Sequence, residues 1–224
     1  MTEILLIRHA INDWVATGKL AGWTAGVHLN ADGQAQAAAL ATHLAQARLA
    51  AIYASPLERT LETAQAIAAH YPALSVQPLD GVGEVRFGDW EGARLKALRR
   101  EALWQTVQLY PSRAQFPHGE SIRQAQARAV DAIEEVARRH RGQRVAVVSH
   151  SDIIKLIVVY YAGAPLDAFQ RIEISPASLT ILHLGHDRPT LMRMNDTSFL
   201  PHLASPPRRR SFWQRIARRL APGR

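Results

Sequence analysis

Apolar residues recur along this chain in two alternating rhythms. Short runs read as strands: residues 4–7 (ILLI), then "AAIYAS", "RVAVVSH", "SLTILHLG" and "TLMRMND", with "SVQPLD" as a short extended piece. Between them lie stretches of helical period. "NADGQAQAAALATHLAQA" places Leu40 and Leu44 on one face, and "PLERTLETAQAIAAHY" opens with a proline suited to a first turn. In "FPHGESIRQAQARAVDAIEEVARRH", Glu120 or Ser121 is placed to cap a helix whose Ile122, Ala125, Ala129, Ile133 and Val136 share one side. "DIIKLIVVYYAG" reads as a buried helix, and the stretch from the first strand to about Leu29, rich in glycine and small residues, reads as a loop. Strand and helix alternate, which predicts an α/β fold: a three-layer sandwich with a mainly parallel central sheet covered by helices on both faces.

Two of these strands end in costly side chains. "ILLIRHA" runs from a core strand into Arg8 and His9, and "RVAVVSH" ends in His150. Burying such groups is unfavourable unless something anionic meets them. In parallel sheets, ligands collect beyond the carboxyl ends of the strands. The pattern therefore delivers two imidazoles and a guanidinium to one rim, facing an anion.

Composition narrows the class. The chain has 224 residues, 47% hydrophobic and 21% charged, which suits one large globular domain. It contains no cysteine, so disulfides, thiolate catalysis and cysteine zinc sites are excluded. No stretch approaches the roughly 20 apolar residues of a membrane span, and "MTE" leads straight into a strand without a signal-peptide pattern, so the expected location is cytoplasmic. The net charge of +8 is concentrated at one end. Residues 205–224 carry seven arginines and no acids, leaving the rest close to neutral. That distribution argues against specific nucleic-acid binding by the core. In the same tail, Phe212, Trp213, Ile216, Ala217 and Leu220 fall on one helical side, a basic amphipathic pattern compatible with weak contact to an anionic membrane or a protein.

With "LLIRHA", "ASPLERTLETA", "GEVRFGDWEG" and "VVSHSD" in this order, residues 2–200 resemble the histidine phosphatase superfamily, the phosphoglycerate-mutase-like proteins. The likeness extends to a bacterial subgroup of phosphomutases and phosphatases with little assigned substrate chemistry. It implies a domain over residues 1–204, with a cap insertion at 93–119 and a separate tail at 205–224. It also implies that His9 is the nucleophile that becomes phosphohistidine. Arg8 and Arg59 would grip phosphate oxygens through planar forks, and His150 would donate to the same phosphate. Glu84 would protonate the leaving oxygen and later activate water, with the nearby Glu91 structural. Phosphoryl transfer is mostly positioning among fixed cations. Two guanidiniums and an imidazolium supply that charge, so the expectation is a metal-independent enzyme without a cofactor.

Asn12, Ser151, Trp23 and His118 complete the expected substrate-binding set. The chain also departs from the family pattern. Ala10 replaces the glycine that commonly follows the catalytic histidine, and Val15 replaces an asparagine that often binds phosphate. Asn12, where relatives often carry serine or threonine, could act as a donor instead, and Ser151 stands where glycine is common. His28, His43, His70 and His140 read as surface residues.

The expected activity is hydrolysis of small phosphate monoesters, the partner being a small phosphorylated metabolite. A phosphomutase is the lower-ranked reading, because "DWEG" continues into "ARLKALRREALWQTV" rather than the "ERHYG" stretch of glycolytic mutases. A phosphate-binding protein without catalysis is the third. The insert brings Arg94, Lys96, Arg99, Arg100, Trp104 and Arg113 to cap the site and select the substrate. Base rates favour a homodimer.

Overall fold

A computed structural model of the chain describes residues 1–185 and 188–200. A six-stranded sheet organises it, in the order β3-β2-β4-β1-β5-β6. These strands are β1 (Thr2–Arg8), β2 (Leu49–Ala54), β3 (Val76–Pro78), β4 (Arg144–Ser149), β5 (Leu179–Leu184) and β6 (Thr190–Asp196). The four strands β3, β2, β4 and β1 run parallel, whereas β5 is antiparallel to both β1 and β6. The three-layer, mainly parallel architecture expected from the sequence is thus present.

Alternation along the central strands creates the two outer layers. Ile4 and Leu6 of β1, with Val145 and Val147 of β4, face helices α6 (Ile122–Arg139) and α7 (Ser151–Tyr161). Leu5, Ile7, Ala146 and Val148 face the other way, against α2 (Ala31–Leu44) and α3 (Glu58–Ala68). Strands buried on both faces read as continuous apolar runs, which is why "ILLI" and "VAVV" carry no polar alternation. Ser121 is the residue that caps α6, in a reciprocal capping box with Gln124.

Several boundaries differ from the sequence reading. The stretch taken as loop after β1 contains a short helix, α1 (Asp13–Thr17), started by the Asn12 side chain accepting from the Val15 N–H and stopped by Gly18 in the left-handed conformation. Five residues are too few to show a helical period. Helix α3 begins at Glu58, because Ser55 is still bonded to the sheet through its N–H to the Val148 carbonyl and Leu57 remains extended. His140 is half-buried and bonds the Tyr53 hydroxyl, unlike the exposed His28, His43 and His70.

The segment 93–119 folds as α4 (Leu95–Leu98), α5 (Ala102–Leu109) and a 3-10 turn at Pro111–Arg113. Leu98, Val107 and Phe116 join the same apolar cluster as α6 and α7. Among the described residues no helix is long and apolar enough to cross a membrane. The amphipathic pattern read in residues 205–224 lies outside the described residues.

Candidate active site

The register of β1 and β4 explains how two distant histidines meet. Arg8 pairs with Ser149, so His9 and His150 are the next residues on adjacent parallel strands, and the His9 N–H bonds the Ser149 carbonyl at 2.9 Å. Their rings lie 5.3 Å apart, edge to face, and both are buried.

The His9 ring has a defined tautomer. Its Nδ1 lies 2.8 Å from the Ala10 carbonyl oxygen, which can only accept, so Nδ1 carries the proton and Nε2 presents a lone pair. Burial, then the charges of Arg59 and Arg8, hold its pKa well below the ordinary value of 6.5. His9 is a neutral base at pH 7 with one nitrogen free for attack.

His150 is held in the opposite sense. Its Nδ1 accepts from Arg59 Nη2 at 3.3 Å, and its Nε2–H donates to Ser55 Oγ at 2.8 Å. Burial, followed by Arg59, His9 and Arg8, again keeps the pKa well below 6.5. The expected imidazolium is therefore a neutral ring in this structure, and the fixed positive charge comes from the arginines. Its Nε2 proton points at Ser55 and its Nδ1 at Arg59.

Arg59 is almost wholly buried at 1% exposure, although it sits on a helix between Glu58 and Glu62. Those two acids do not pair with it. They accept from the backbone N–H groups of Gly26 and Leu29, fastening that loop to α3. Arg59 Nη2 instead donates to the Gly22 carbonyl at 2.8 Å, and its Nη1 has no partner. Arg8 donates from Nη1 to the Ile174 carbonyl at 2.6 Å, and its Nε is buried without a partner. Asn12, spending Oδ1 on the α1 cap, likewise leaves a buried Nδ2 unpartnered. Buried donors are rarely left unmade, so Arg8 Nε, Arg59 Nη1 and Asn12 Nδ2 are open to an acceptor that the chain itself does not supply.

Glu84 lies against this cluster, its Oε2 3.7 Å from His150 Nδ1. Burial pushes its pKa up to about 7. The Asp152 carboxylate pushes in the same direction, while Arg59, the Val85 N–H and Arg8 oppose it. A carboxyl group near neutrality can both give and take a proton at physiological pH.

Arg128, on α6, was not singled out by sequence reasoning, yet it holds Glu84 in place. It donates to the carbonyls of Gly81, Gly83 and Glu84 at 2.9, 2.8 and 2.8 Å. It also forms a two-pronged pair with Glu120 at 2.9 and 2.6 Å. Glu120 in turn clasps the backbone of Arg86 from both sides. Glu91 accepts from the Phe87 N–H at 3.2 Å, a structural contact as expected.

The remaining expected residues divide. Trp23 gives its indole N–H to the Glu84 carbonyl at 2.6 Å, so its side chain braces the acid's backbone. Ser151 is the first residue of α7, beside His150, with Oγ 3.4 Å from the Ile174 carbonyl. His118 is exposed and bonds Asp89, apart from the histidine pair. Val15 gives its backbone N–H to the Asn12 cap and its carbonyl to the Gly18 N–H. A separate hollow of about 510 Å³ at the other end of the sheet contains Glu3, Arg144 and His183, but these charges satisfy one another.

The profile of the histidine phosphatase superfamily (branch 1) matches residues 4–197. A protein of Hydrogenobacter thermophilus named phosphoserine phosphatase 1 is 31% identical over 203 residues, spanning 89% of this chain and 95% of its own. The metal-independent phosphoserine phosphatase of Arabidopsis thaliana is 29% identical over 204 residues, spanning 89% and 84% respectively. Among solved structures, the phosphoserine phosphatase of Entamoeba histolytica in complex with 3-phosphoglyceric acid superposes with a TM-score of 0.80 at 26% identity, covering 90% of this chain and all of that one.

Proposed function

The chain belongs to the histidine phosphatase superfamily and is a phosphatase of that type, and we propose that it hydrolyses small phosphate monoesters through a phosphohistidine on His9. The carrying observation is the neutral His9 ring, its Nδ1 proton fixed on the Ala10 carbonyl, set among buried guanidiniums with unspent donors. Arg8, Arg59 and Asn12 receive the phosphate oxygens. Nε2 of His9 attacks phosphorus as the bond to the alcohol oxygen breaks, and Glu84 gives that oxygen its proton. The ring becomes a cationic phosphoimidazole whose Nδ1–H still donates to Ala10. Glu84, now a carboxylate, takes a proton from the attacking water, and cleavage of the P–N bond returns His9 to its neutral form with release of inorganic phosphate.

Relatives named phosphoserine phosphatase support small phosphorylated metabolites as the substrate class. The experiment compares wild type with His9→Ala on p-nitrophenyl phosphate and a panel of phosphate esters. Phosphate release and acid-labile labelling of the protein are expected in wild type and lost in the variant. Undiminished release by His9→Ala removes His9 from the mechanism.

A further inference from the structure

We infer that Arg86 binds an anionic group, a carboxylate above all, on the alcohol portion of the substrate, so that the enzyme selects phosphate esters whose leaving group is itself charged. The inference rests on the phosphatase reading and extends it to specificity. It starts from the alternation in the segment after Val82. Val85 and Phe87 are buried in the core, whereas Glu84 is half-buried and Arg86 exposed, so the two charged residues lie on the side of the segment away from the core.

The guanidinium is held rather than free to wander. It stacks 3.9 Å from the centroid of the Trp23 ring, and the same indole bonds the Glu84 carbonyl and packs on Gly83, where an added Cβ would come within 2.5 Å of the ring. Trp23 thus fixes the acid's backbone and the cation with one side chain. Arg86 is exposed and forms no ion pair among the described residues. The acid that its backbone meets, Glu120, spends its carboxylate on Arg128 and on the Arg86 N–H. A planar cation with unspent donors, stacked on an aromatic face beside the proton donor, suits a carboxylate.

The test uses the full chain and two probes that differ by one carboxylate, O-phosphoserine and O-phosphoethanolamine, with p-nitrophenyl phosphate as a third. Arg86→Met keeps an apolar stem on Trp23 and removes the charge; Arg86→Lys restores a cation without the fork. The expected result is a fall of about 10- to 100-fold in kcat/KM for phosphoserine in Arg86→Met, the scale of one charge-assisted contact. Partial recovery is expected in Arg86→Lys, and the other two probes should stay within about twofold of wild type. Equal losses on all three probes, or none on phosphoserine, overturn the role of Arg86 while leaving the phosphatase intact. Failure of wild type to hydrolyse any probe overturns the phosphatase reading and this inference with it.

Discussion

Replacing Glu84 with glutamine should cripple turnover and stabilise the fold, and both effects follow from one carboxyl group. Glu84 titrates near 7 in the folded protein and near 4.5 when solvated. At about 1.4 kcal/mol per tenfold change in proton affinity, the ionised form is about 3 kcal/mol less favourable in the fold than in the unfolded chain. The folded value is the raised one. Glu84 therefore costs nothing below pH 4.5, progressively destabilises the protein between pH 4.5 and 7, and exerts its full cost above. Glutamine has the same shape, keeps an oxygen for the Val85 N–H, and never ionises. The help that Arg8 and Arg59 give the carboxylate is already contained in the net value, so it needs no separate subtraction. For a chain of this size, each kcal/mol moves the melting point by about 2–4 °C, so Glu84→Gln should melt roughly 6–12 °C higher at pH 8 and no higher at pH 4.5. Scanning calorimetry at the two pH values, with kcat on an alkyl phosphate in parallel, reads both effects. Loss of the general acid predicts a fall in kcat of about 10²- to 10⁴-fold. A variant that melts at or below wild type at pH 8 refutes the buried, raised carboxyl group on which the mechanism depends.

Two further outcomes test how that group is held and tuned. Arg128→Met strips the partners from three carbonyls and from Glu120, so chemical denaturation should show a loss of about 3–5 kcal/mol, with kcat falling more than KM rises; unchanged stability and kcat would show that the acid loop stands without the clamp. Asp152→Asn removes a negative charge that raises Glu84, so the alkaline fall of kcat/KM, expected near pH 7, should move to lower pH; movement the other way contradicts the assignment of Glu84 as the proton donor.

The sheet was legible because its central strands carry unbroken apolar runs and its site histidines terminate two of them. Register then does the rest: residue for residue, β1 and β4 run out together. The antiparallel entry of β5 had no such signature, since strand direction depends on how the preceding chain crosses over. Arg59 was legible only through the family motif. By pattern alone, an arginine between two glutamates on a helix looks solvent-facing, and its burial became visible when Glu58 and Glu62 proved to be bonded elsewhere. Arg128 left no trace, because its polar position on an amphipathic helix gives no sign that it bonds carbonyls more than 40 residues away. The hold of Trp23 on the acid loop was hidden for a related reason: a tryptophan in a site loop gives no sign that its indole N–H bonds a carbonyl 61 residues away.

The neutrality of the two histidines changes what the arginines are for. Had His150 been cationic, the site would hold three positive groups, and His9 would be one more cation away from a usable lone pair. Instead burial first, and then the charges of Arg59 and Arg8, depress both rings. The same guanidiniums leave Nε of Arg8 and Nη1 of Arg59 buried and unspent. In the proposed mechanism they serve the nucleophile before the substrate arrives and the phosphate after it. A phosphate dianion entering the site reverses the field that the rings experience: its charge favours protonation where the arginines had opposed it. His9 escapes that reversal, because its lone pair is consumed by bond formation to phosphorus, and the positive charge created on the ring lies between the transferred phosphoryl group and the Ala10 carbonyl. Glu84 meets the reversal as an acid, its proton held more firmly by the incoming negative charge until the leaving oxygen becomes basic enough to take it. In the proposed mechanism, protonation state and substrate charge are coupled in this way through the fixed guanidiniums.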